Sequence, residues 1–207
     1  MTAEELQLRR VVVSASGLIY WGGVWIQARR VRKRIGHSPN LKPHGPKEKL
    51  LWLGWFLVIL AWVGQPWLVG VDSSRPAFDC FHALLHPAGL ALGLALVVLG
   101  YAGTLWAYAS MGDTWRIGIN AKEKTALVSR GPYRRVRHPI YLFQIVMLAG
   151  AALLLPTPVS FVVLVTQYVC VLIKAGDEEK YLASVHGETY RDYLSRTGRL
   201  FPRFIRT

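Results

Sequence analysis

The chain has 207 residues, with 25 Lys plus Arg against 12 Asp plus Glu for a net charge of +13, yet only 18% of its residues are charged and 52% are hydrophobic. A mean hydropathy of +0.27 and eight Trp residues exclude a disordered or collagen-like chain. They also argue against a basic nucleic-acid-binding domain, which carries more total charge, and favour a small integral membrane protein with its basic residues in loops.

A bilayer core of about 30 Å needs roughly 20 apolar residues per helix. The first uncharged run, Val11 to Ala28, is bracketed by arginines, lacks a small-residue cleavage site and ends in Tyr20, Trp21 and Trp25. It reads as a span rather than a signal peptide. Val31 to Lys49, rich in Pro, Gly and basic residues, reads as a loop along anionic headgroups. Leu50 to Val71 is the second span. The connection after it holds Asp79, Cys80, His82 and His86, and the four-residue histidine spacing is one that metal sites use. No second ligand pair accompanies it and no histidine lies within a span, so no metal is expected. Cys80 and Cys170 fall in different environments and imply no disulfide framework.

Ala88 to Ala109 is the third span. Ile140 to Ile173 is 34 residues long, about 51 Å as a helix, too long for one upright crossing and too short for two. Pro156 and Pro158 at its middle remove backbone donors and predict a hairpin of two short helices. The expectation is therefore an all-α polytopic membrane protein with about five membrane segments. Residues 1–109 form a three-span region, and residues 110–207 form a catalytic region of cytoplasmic loop, hairpin and C-terminal closing segment. Alternate loops collect 22 of the 25 Lys and Arg on one side. The positive-inside rule then places the N-terminus outside and the basic segments in the cytoplasm, with Arg9 and Arg10 dissenting.

The hairpin brings its two polar flanks together. The first ends SRGPYRRVRHPIYLF, where Gly131-Pro132 marks a turn and Pro139 suits the first turn of a helix beginning near His138. Its free N–H groups, with Arg134, Arg135 and Arg137 nearby, make a place for an anion. The second flank carries Asp177, Glu178 and Glu179, read as acids at a helix start that complement the dipole, followed by an apolar stripe of Tyr181, Leu182 and Val185 and a break at Gly187.

LVSRGPYRRVRHPIY (127–141), then EEKYL (178–182), HGETYRDY (186–193) and RLFP (199–202) after the hairpin, resemble the isoprenylcysteine carboxyl methyltransferase family. The related phospholipid N-methyltransferases share the looser pattern. The resemblance covers the C-terminal half and implies an S-adenosylmethionine-dependent methyltransferase whose lipophilic or lipid-modified substrate enters from the bilayer, without nucleic acid. It implies cofactor contacts at Thr125, Ala126, Leu127, Val128, Tyr133, His138, Pro139, Ile140, Tyr141, Glu178 and Glu179. It places Lys174 where the family has a substrate-orienting arginine, a departure that loses the bidentate fork suited to a carboxylate. Phe143 stands where a small residue is common, and its bulk is expected either to reshape a substrate tunnel or to pack against lipid.

Methyl transfer from a sulfonium needs an in-line nucleophile and little water. A carboxylate acceptor is already ionised at neutral pH, whereas an amine or thiol must lose a proton, for which His138, His186 or Glu179 are the available bases. Alternatives to the isoprenylcysteine-like carboxylate are a phospholipid amine, a small thiol, or a non-catalytic membrane scaffold.

Overall fold

The computed structural model describes residues 2–39, 45–70, 75–116 and 126–203. Helix α1 spans Ala3–Ile35: Thr2 caps it by accepting from the Glu5 N–H at 3.1 Å, Glu4 and Glu5 occupy its first turn, and Gly36, at φ 79°, ends it. Arg32, Lys33 and Arg34 lie in its last turn, where cations complement the helix dipole. The segment expected as a loop is therefore partly helical, and α2 (Gly45–Gly64) begins before its end. Helix α3 spans Pro87–Met111 and is capped by His86, whose Nδ1 accepts from the Gly89 N–H at 3.1 Å.

Helix α4 (Pro139–Leu154) and helix α5 (Pro158–Arg196) form the hairpin, turning at the proline pair. At 16 residues α4 is about 24 Å long, short of a full crossing. The second arm is not short, because α5 runs for 39 residues. Asp177, Glu178 and Glu179 consequently lie mid-helix, not at a helix start, and no dipole explains them. The break at Gly187 is present, with φ 53° and ψ −127°. Among the described residues, four helices are long and apolar enough to cross a membrane and α4 makes a fifth, shorter segment. The chain is an all-α membrane protein.

Helices in lipid gain little from apolar burial against one another and associate where small residues let backbones meet. A Cβ at Gly100 would lie 2.6 Å from the Phe143 carbonyl oxygen, and one at Gly150 would lie 2.6 Å from that of Gly93. The Phe143 ring packs over Gly103, where a Cβ would collide with it, so its bulk fills the contact between α4 and α3.

A polar cluster closes the other end of α4. Gln65 donates to Ser160 Oγ at 2.7 Å and accepts from Thr157 Oγ1 at 3.0 Å, while Ser160 Oγ donates to the Leu155 carbonyl. Arg9, fully buried, donates through Nη1 to the Leu154 carbonyl at 2.9 Å and through Nη2 to Glu5 at 2.7 Å. Arg10 bonds the Val69 carbonyl. The two dissenting arginines are thus structural groups.

Candidate active site

The site is built where the chain enters α4. The 3₁₀ turn Gly131–Arg134 starts at φ 59° on Gly131, and a Cβ there would meet Ser110 Oγ at 2.1 Å. It buries Tyr133 and delivers His138 to the α4 N-terminus. The C-terminal segment returns as a strap: the Arg137 N–H donates to the Gly198 carbonyl at 2.8 Å, the His138 N–H to the Arg199 carbonyl at 3.1 Å, and the Gly198 N–H to the Arg135 carbonyl at 3.1 Å. Val136 and Gly198 form the isolated parallel bridge this creates. Tyr193 Oη ties α5 to the turn by donating to the Tyr133 carbonyl at 2.7 Å.

Glu179 is the hub beneath the strap. It accepts from Arg137 Nε at 2.8 Å and from Arg199 Nη2 at 2.6 Å, and Arg137 also donates to the Thr197 carbonyl. Glu178, on the adjacent position of α5, accepts from Tyr141 Oη at 2.7 Å. Between the acids sits His138, with Nδ1 3.3 Å from Glu178 and Nε2 3.4 Å from Glu179, stacked on Tyr141 with ring centroids 5.7 Å apart. The Nε2 contact is an ion-pair distance without hydrogen-bond geometry.

Burial opposes the His138 imidazolium, but the two facing carboxylates outweigh it and hold its pKa above the ordinary value of 6.5. Burial pushes the Tyr133 phenol well above its usual range. A raised histidine pKa stabilises the fold fully below the unfolded value and loses that contribution as pH rises through the folded one. The stability difference between the wild type and His138→Gln is therefore expected to shrink as pH rises above the ordinary histidine value of 6.5. Chemical unfolding in detergent measures it, and a difference that grows with pH would contradict this placement of charge.

Above this floor lies a cavity of about 520 Å³, within the usual range of small-molecule sites. Of the residues picked out in the sequence, Ala126, Leu127, Val128 and Tyr133 line it on one flank. His138, Ile140, Tyr141, Glu178 and Lys174 line it from the hairpin. Pro139 and Glu179 stand behind the wall, and Thr125 lies outside the described residues. His186 is also outside the lining. Lys174 does not snorkel: it is 4% exposed, and its Nζ donates to Glu48 Oε1 at 3.2 Å.

Sequence reasoning missed two parts of the site. Tyr190, just past the Gly187 break, is fully buried in the lining with an unpartnered hydroxyl. The opposite wall comes from α1 and α2, through Trp21, Trp25, Trp52, Trp55 and Phe56. Trp25 and Phe56 are more than half exposed on helices long and apolar enough to cross a membrane, so this wall reaches the outer surface of the helix bundle.

Residues 88–189 match the phospholipid methyltransferase family. A cobalt-zinc-cadmium resistance protein of Cupriavidus metallidurans is 30% identical over 123 residues, 58% of this chain and 51% of that protein. A nickel-cobalt-cadmium resistance protein of Alcaligenes xylosoxydans is 27% identical over 113 residues, 54% of this chain and 52% of the relative. A methanethiol S-methyltransferase of a Pseudomonas species is 35% identical over 91 residues, 44% of this chain and 34% of that enzyme. The chain thus spans about half, or less, of the curated relatives it matches. The solved structure of a eukaryotic intramembrane Ras methyltransferase, an isoprenylcysteine carboxyl methyltransferase, superposes with a TM-score of 0.54 over 78% of this chain and 54% of that one, and at 20% identity this likeness is one of fold. Residues 88–189, just under half of the chain, thus match the phospholipid methyltransferase family, and the chain shares the membrane fold of the isoprenylcysteine carboxyl methyltransferase.

Proposed function

We propose that the chain uses S-adenosylmethionine to methylate a lipophilic acceptor that enters from the bilayer, at a carboxylate, thiol or amine. The observation that carries this reading is one cavity with two chemistries: a polar floor of tyrosines, His138 and Glu178, and a tryptophan-rich wall that reaches the outer surface of the helix bundle. The fit to a polar cofactor rests on two buried atoms of the floor without a hydrogen-bond partner, Tyr190 Oη and His138 Nε2. A ligand with carboxylate, amino and ribose groups would satisfy them, and unsatisfied buried polar atoms are costly. The relative that methylates methanethiol adds a thiol to the acceptors considered.

S-adenosylmethionine bound there supplies a methyl group on a sulfonium, which leaves as a neutral thioether when the acceptor's lone pair takes the methyl. His138, held toward its protonated form, faces the cofactor carboxylate as a donor, not as a base. Tyr133 and Tyr141 wall the adenosyl group, Glu178 accepts from the ribose or amino group, and the chain at Ala126 to Val128 and Ile140 completes the pocket. Glu179 acts from behind, fixing His138, Arg137 and the strap. For a thiol or amine, Glu178 is the lining carboxylate able to take the proton, since Glu179 is wrapped by two arginines. Lys174 faces the acceptor. Residues 110–207 supply the floor and residues 1–109 the acceptor wall, with the floor on the cytoplasmic side and the N-terminus outside, as the bias of 22 basic residues in 25 supports.

Titration calorimetry in detergent tests the reading. Glu178→Ala and His138→Ala are each expected to weaken S-adenosylmethionine binding about 10- to 100-fold, the loss of a hydrogen bond to a charged group. Unchanged affinity in both variants would overturn the assignment. Methyl-labelled S-adenosylmethionine offered with a total lipid and prenyl-thiol extract then identifies the acceptor.

A further inference from the structure

Lys174 is buried in the cavity wall with Glu48 as its counter-ion. Glu48 comes from the first turn of α2, outside the residues that carry the family match. Its neighbour Lys47 pairs with Asp177 at 2.6 Å, about one turn along α5 from Lys174. Two pairs therefore join the start of α2 to α5.

A buried ammonium with no counter-ion would draw an anion into the cavity, because an uncompensated charge there is costly. With Glu48 in place the pair is neutral, and an incoming carboxylate would bring a second negative charge against one ammonium. Among the described lining residues, the two arginine side chains have hydrogen-bond partners of their own. Arg137 is held by Glu179 and the Thr197 carbonyl, and Arg116 donates to the carbonyls of Asp113 and Trp115. The wall supplied by α2 is otherwise apolar, with Trp52, Trp55, Phe56 and Ile59.

We propose that Glu48 is a specificity-determining residue: by neutralising Lys174 it makes the cavity select an uncharged lipophilic acceptor, a thiol or a neutral amine, over a carboxylate. Naming the ligand a methyl acceptor rests on the function proposed above, whereas the selection is a property of the cavity itself.

Dodecylthioacetate, an anion, and dodecylthioethanol, its uncharged analogue, are the probes, with dissociation constants read by tryptophan fluorescence in detergent. The wild type is expected to prefer the alcohol, and Glu48→Gln to tighten carboxylate binding about ten-fold while moving the alcohol less than about two-fold. The charge swap Glu48→Lys with Lys174→Glu keeps a neutral pair and is expected to keep the preference for the alcohol, which a merely structural loss would not. If Glu48→Gln does not fold, Glu48→Asp, whose carboxylate is withdrawn by one methylene, carries the same comparison with a smaller shift. A wild type that binds both probes equally, or a ratio unmoved by removing or withdrawing the carboxylate, overturns the proposal. S-adenosylmethionine binding measured on the same samples separates the two claims: cofactor binding with an unmoved ratio sinks the selection alone. A moved ratio without cofactor binding sinks the methyl-transfer reading alone.

Discussion

Glu179→Ala is expected to release the C-terminal strap and to destabilise the protein by about 3–5 kcal/mol, the usual result of removing one partner from a buried ion pair. The Glu179 side chain is 11% exposed and the Arg137 side chain 12%, so the arginine is left buried without its counter-ion. Arg199, 42% exposed, contributes little because water screens it. The strap's hydrogen bonds to Arg135, Arg137 and His138 depend on the geometry this hub enforces. Thermal unfolding in detergent and limited proteolysis across residues 197–203 measure the effect. A melting temperature and a cleavage pattern like those of the wild type would show that the strap stands without Glu179. Glu179→Gln, which retains shape and an acceptor oxygen, is expected to fall between the two.

Gly100→Ala is expected to push α3 from α4, because the new Cβ meets the Phe143 carbonyl oxygen at 2.6 Å and the Met147 backbone nitrogen at 2.8 Å. Backbone cannot rotate aside as a side chain can, and overpacking of this kind costs about 1–3 kcal/mol. Gly22→Ala on α1 is the control, since nothing lies within 4 Å of its Cβ. There the better helix propensity of Ala gives a gain of up to about 1 kcal/mol. Denaturant unfolding of the two variants should move in opposite directions. Because α4 carries Tyr141 and starts at the His138 cap, cofactor affinity should fall in the first and hold in the second. Equal stability of the two would mean that the α3–α4 contact is loose.

The spans and the hairpin were legible because hydrocarbon thickness and proline chemistry act on short stretches of chain. So was the start of α4, where His138-Pro139 is a local signal. Helix α1 runs into the Pro-, Gly- and base-rich stretch that reads as a loop because Arg32, Lys33 and Arg34 precede its glycine and prolines and suit a last turn. The acids of α5 were misread because the rule of acids at helix starts is local, and the partners that place Glu179 are 42 and 20 residues away. Glu48 was one acid among many bases, and only its approach to Lys174, 126 residues on, gives it a role. Phe143 shows the same limit: its bulk is accounted for by the missing side chain at Gly103 on another helix.

Arg9 has a consequence for how the chain is made. A bare carbonyl at a helix end in hydrocarbon costs several kcal/mol, and the one at Leu154 is met by a guanidinium 145 residues earlier. The first helix leaves the ribosome long before its partner exists, and Glu5 keeps Arg9 company meanwhile. The hairpin, once inserted, finds its cap already waiting in the bilayer. A fragment beginning after α1 would keep the polar floor of the cavity yet leave the Leu154 carbonyl without the Arg9 guanidinium, so the tip of the hairpin depends on the first helix.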